Sequence, residues 1–150
     1  MNDRILSRDE AASLLVNLLI IQARDASVRA ASQVLQQGPP GRVKQNNHVV
    51  LHNWFMSLSE CDRMKVLEVA EYAATTAMFQ ALVVLDDCAA GIEHDSEQYE
   101  IAVYLQPRSL QAGKDPANPR AVRVNPSHQA VELLHDIFQT RVRQEQQKST

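Results

Sequence analysis

An α-dominated α+β fold is predicted by three features of the 150-residue sequence. These are long stretches of helical apolar spacing, one segment that switches to strict alternation, and a supply of only 4 glycines to interrupt the chain. The expected architecture is a helical domain around a central buried helix, with a small antiparallel two-stranded ribbon beside it. With 45% hydrophobic residues, a chain of this length can close one core without disulfide or metal staples. A single domain over 1–150 follows.

The first element opens at Ser7-Arg8-Asp9-Glu10, whose S-x-x-E form lets the Ser hydroxyl and the Glu carboxylate satisfy each other's backbone amides. Apolar residues recur densely at Leu14, Leu15, Leu18, Leu19 and Ile21 and more sparsely at Val28, Val34 and Leu35, up to Gly38-Pro39-Pro40-Gly41. Two prolines remove helix donors there, and a helix is predicted over 8–36 with a linker over 37–47. Val49, Val50, Leu51, Trp54 and Phe55 keep helical spacing, giving a short helix over 48–57. Ser59 then offers a second cap with Glu60 and Asp62 in the first turn, where carboxylates favour the positive end of the helix dipole.

From that cap a helix is predicted over 60–87. Past Ala73 it is apolar nearly all round, the pattern of an element enclosed by others, so it is expected to be the core of the fold. Between Gln98 and Leu105 the period changes, with Tyr99, Ile101, Val103 and Leu105 on one face, which is a half-buried strand. Its partner is expected at 121–124, across a connection carrying Pro107, Gly113, Pro116 and Pro119. Asn125-Pro126 has the form of a helix cap followed by proline at the first helical position. Val131, Leu134, Ile137, Phe138 and Val142 then give a last helix over 127–143, followed by a polar, frayed tail.

Several function classes are excluded by composition and spacing. A net charge of -3 gives no basic field to hold a polyanion, so nucleic acid is not an expected partner. The amino-terminal MNDRILSRDE lacks the pattern of a secretory signal, and the aliphatic runs at 14–21 and 78–85 are interrupted by Asn17 and Gln80. A cytoplasmic location without membrane attachment is expected. No Gly-rich phosphate loop, nucleophile elbow or EF-hand pattern occurs, and no cofactor is expected. Cys61 and Cys88 form no C-x-x-C pair and read as free thiols. Cys61 lies in a first helical turn, but Glu60 and Asp62 flank it and oppose thiolate formation.

Two candidate sites remain. Asp86, Asp87, Glu93, Asp95, Glu97 and Glu100 form an acidic span with no Lys or Arg among them, whereas Arg108, Lys114, Arg120 and Arg123 face Asp115 alone in the following segment. The two segments could pair with each other at the surface for little gain, or the acidic loop could dock on a basic partner. Asp86 and Asp87 also stand at the negative end of a helix dipole. Such a broken local rule is expected at an interaction site or a solvent-facing turn. The expectation is therefore a non-enzymatic interaction module, such as an immunity protein, an antitoxin against a basic toxin, or a small chaperone. The alternative is a metal-dependent enzyme or metal-binding protein. His48 and His52 share a helix face at i, i+4, and His128, Glu132 and His135 share another, so that three could ligate one ion.

Overall fold

A computed structural model describes residues 6–39, 46–87, 92–94, 97–99, 101–105, 121–125 and 133–148. The fold is mostly helical with small antiparallel ribbons, an α-dominated α+β arrangement. The elements run α1 (Arg8–Leu19), a π-helical turn (Ile20–Asp25), α2 (Ala26–Gln37), α3 (Asn46–Ser57) and α4 (Glu60–Asp87). After these come β1 (Ile92–His94), β2 (Glu97–Tyr99), β3 (Tyr104–Leu105), β4 (Val122–Arg123) and α5 (Leu134–Lys148).

Both helix starts read from the sequence form as expected. Ser7 Oγ accepts from the Glu10 amide at 3.2 Å while the Ser7 amide donates to Glu10 Oε2 at 2.9 Å, closing the reciprocal cap. Ser59 Oγ accepts from the Asp62 amide at 3.2 Å and donates to Asp62 Oδ2 at 2.7 Å. The long first helix is continuous to Gln37 but widens over Ile20–Asp25, where the buried Arg24 pairs through Nε with Asp25 Oδ1 at 2.7 Å. Gly38 ends α2 with φ of 80°, a dihedral glycine adopts without steric penalty, and its amide returns to the Val34 carbonyl at 3.0 Å.

The described residues group into two compact units, Met1–Leu18 with Phe79–Thr150, and Leu19–Met78. In the first, Ala11, Ala12 and Val16 of α1, Leu82 of α4, Val124, and Leu134, Ile137 and Phe138 of α5 are buried. Ribbon β3–β4 pairs Tyr104 with Arg123 and Leu105 with Val122, and the Val124 amide extends it by donating to the Val103 carbonyl at 2.9 Å. In the second unit α2 packs on α3, and the His52 ring donates from Nδ1 to the Leu35 carbonyl at 2.8 Å. Phe55 is its buried aromatic residue.

Four expectations are corrected. The helix over 60–87 is not enclosed past Ala73: Ala73, Ala77, Ala81 and Val84 are exposed, and among the described side chains there only Leu82 and Asp86 are buried. An apolar composition on all sides records what a helix could bury, and here one face is covered. The strand expected over 98–105 is divided. Glu97–Tyr99 pairs with Ile92–His94 in a hairpin not foreseen in the alternation, and only Tyr104–Leu105 joins Val122–Arg123. The described part of the last helix is Leu134–Lys148, the start expected at 127 lying outside the described residues, and the helix runs on to Lys148 through the segment expected to fray. The polar run Gln144–Lys148 holds helix because straight-chain Gln, Glu and Lys have good intrinsic propensity. Finally, Asn125 bonds to segments far away in sequence, as described next.

Candidate functional site

Asp86 resolves the conflict that its position poses. It sits in the last turn of α4, where a carboxylate opposes the dipole, yet its side chain is completely buried. Its Oδ2 accepts from the His135 backbone amide at 3.0 Å and from His135 Nδ1 at 2.9 Å. His135 is the second residue of α5, so the carboxylate caps the amino-terminal turn of that helix from 49 residues away. The ring is fixed further by the edge of Phe79, with centroids 5.5 Å apart and planes at 89°, and His135 Nε2 lies 3.7 Å from Asp136 Oδ1. Asp86 Oδ1 is buried without a hydrogen-bond partner among the described residues.

Beside it, Asn125 uses its amide as a three-way tie. Nδ2 donates to the Leu85 carbonyl at 3.0 Å and to the Ile101 carbonyl at 2.6 Å, while Oδ1 accepts from the Val103 amide at 2.8 Å. Arg123 Nε donates to the Asn125 carbonyl at 3.2 Å, and Arg8 Nε donates to the Val124 carbonyl at 3.2 Å. The end of α4, the approach to β3, the exit from β4 and the start of α1 are thereby joined through polar atoms. Sequence reasoning assigned Asn125 to a local cap, because the Asn-Pro dipeptide carries that signal and its distant acceptors leave none.

The acidic span is thus divided. Asp86 faces inward and is not part of an acidic surface. Asp87 is the last residue of α4, and Glu93 and Glu97 lie in β1 and β2, with Glu93 opposite Gln98 and His94 opposite Glu97 in register. Asp95 and Glu100 lie outside the described residues, as do Arg108, Lys114 and Arg120 of the basic segment. Within the span read as a loop, Ile92–His94 and Glu97–Tyr99 pair as antiparallel strands.

His48 and His52 share α3, but His52 holds the Leu35 carbonyl through Nδ1, and His135 is engaged by Asp86. His128 and Glu132 lie outside the described residues. Among the described residues no three His, Cys, Asp or Glu side chains are grouped to hold a metal ion. Cys61 is exposed and free, and Cys88 lies outside the described residues. The continuous helix Arg8–Gln37 is long and apolar enough to cross a membrane by length and composition, a test that core helices of soluble proteins also pass.

No protein-family model, curated protein or solved structure matches this chain.

Proposed function

We propose that the protein is a non-enzymatic interaction module that engages a basic protein partner through the acidic span around β1 and β2. Immunity proteins, antitoxins against basic toxins and small chaperones are the kinds of protein that work in this way. The observation that supports this reading is the composition of the span, which carries six carboxylates and no Lys or Arg between Asp86 and Glu100. With Asp86 committed to α5, the candidate partner-facing residues are Asp87, Glu93, Asp95, Glu97 and Glu100. One sign of charge concentrated on a short hairpin steers a cationic partner into register and repels anionic ones. A cytoplasmic location belongs to the same reading.

The test is to reverse Glu93, Asp95 and Glu97 together to Lys and to follow association with the basic product of a neighbouring gene by stopped flow. The association rate should fall by about ten-fold or more at low salt. That difference should fade near about 0.5 M salt, where the screening length drops to roughly 4 Å. Equal rates for both proteins at every salt concentration would remove the acidic span from the argument. Asp86 is left intact because its substitution would disturb α5 as well.

A further inference from the structure

Within the unit Leu19–Met78, the helix α3 carries no Asp, Glu, Lys or Arg. Its inner face is fastened, with Phe55 buried and the His52 ring bonded to the Leu35 carbonyl at 2.8 Å. The opposite face is bare. Asn47, Val50, Leu51 and Trp54 recur there at i, i+3, i+4 and i+7, and the last three are 65%, 45% and 48% exposed. Among the described residues the Trp54 indole N–H makes no hydrogen bond, the Ser57 hydroxyl reaching only the Trp54 backbone carbonyl. The chain around this helix has one sign of charge. Between Asp25 and Glu60 no carboxylate occurs, the longest such run in the sequence, and Arg29, Arg42 and Lys44 give it a charge of +3. Arg29 is exposed on α2, and Lys44 stands two residues before α3 in the sequence. Past Leu58 the signs balance, Glu60 and Asp62 against Arg63 and Lys65.

A half-exposed tryptophan beside two aliphatic side chains presents an apolar body with one polar handle, the make-up that suits a boundary between water and hydrocarbon. A protein partner is held in register by charged and hydrogen-bonding groups set around the apolar ones, and α3 offers no charge for that purpose. A lipid surface needs no register, and the sign of the run 26–59 selects an anionic one. We infer that α3 seats its outer face on an anionic lipid surface, with Val50, Leu51 and Trp54 entering between the headgroups and the cations of 26–59 drawing the helix to the phosphates. At about 1.5 Å per residue this helix is roughly 18 Å long, so it lies in the surface and does not span it. With a screening length of about 10 Å at 0.1 M salt, the local sign outweighs the net charge of -3 carried by the whole chain. The face lies in a part of the chain separate from the acidic span and does not depend on the partner proposed there.

The whole chain is mixed with vesicles of phosphatidylcholine alone and with vesicles in which about a third of the lipid is phosphatidylserine, a surface to which each nearby cation is worth roughly five-fold in binding. Co-sedimentation measures binding, and the emission of Trp54, the single tryptophan, reports on the face itself. At low salt the serine-containing vesicles should bind the chain about ten-fold or more tighter and shift Trp54 emission to the blue. That preference should fade near about 0.5 M salt, where the screening length is roughly 4 Å. Val50→Asp sets a carboxylate in the face at an exposed position, and should lower binding about ten-fold or more with the circular dichroism spectrum unchanged. If that variant fails to fold, Leu51→Gln, which adds no charge, should lower binding about three-fold or more. Tyr72→Gln, on α4 and outside the face, should bind as the wild type does. Equal binding to the two kinds of vesicle would overturn the inference. So would no binding, binding unchanged by Val50→Asp, or a blue shift that grows with protein concentration in the absence of lipid, the mark of a second copy on the face.

Discussion

The two units of this chain are held in different ways. In the unit built from Met1–Leu18 and Phe79–Thr150, segments distant in sequence are tied by buried polar atoms: Asp86 to His135, Asn125 to Leu85, Ile101 and Val103, and Arg8 to Val124. In Leu19–Met78 the polar ties are mostly short in sequence, His52 to Leu35 being the longest of those described, and large apolar side chains such as Trp54, Val69 and Tyr72 remain exposed. Hydrophobic burial is non-directional and tolerates alternatives, whereas a buried amide or carboxylate is satisfied in one arrangement only. Both units leave large apolar side chains exposed, Leu14, Leu18, Val84 and Tyr104 among them in the first, so what separates the units is the set of buried polar ties between distant segments that the first one carries.

Three substitutions would break or sharpen this contrast. Leu82, fully buried, is the deepest α4 position in the first unit, and Leu82→Asp should cost more than ~3 kcal/mol in denaturant unfolding by placing an unpaired charge in an apolar interior. Wild-type-like unfolding would mean that the α4 end is not packed as described. Asn125→Ala should cost about 3 kcal/mol, roughly one for each backbone group it leaves unpaired. A loss under ~1 kcal/mol would show that water replaces the amide and that the polar tie is dispensable. Tyr72→Gln, at a side chain 73% exposed, should stay within about 0.5 kcal/mol of wild type. A large loss of thermal stability there would reveal a cover over α4 in solution.

What the sequence made legible was local. Ser7 and Ser59 each carry their signal within four residues, and both caps form as read. The antiparallel meeting of 104–105 with 122–123 was visible because alternation and the flanking Pro and Gly mark the strands directly. The hairpin at 92–99 escaped because its strands are three residues long and charged, too short and too polar for a period to register. The inward role of Asp86 was signalled only as an anomaly, a carboxylate at the wrong end of a helix. The remedy, the amino-terminal turn of α5, lies 49 residues on and has no local trace. The exposure of α4 was misread for a related reason, since composition gives the apolar surface a helix carries and not how much of it finds cover.

The tie at Asn125 also bears on how the protein ages. Asparagine side chains deamidate when the following backbone nitrogen, stripped of its proton, attacks the side-chain amide carbon to close a succinimide ring. Here the next residue is Pro126, whose nitrogen is already fully substituted and has no proton to give up. Conversion to aspartate would set an anionic oxygen against the Leu85 and Ile101 carbonyls, both of which need a donor. The Asn-Pro dipeptide thus guards its own keystone against the slow chemical damage that would otherwise release the end of α4 from the ribbon.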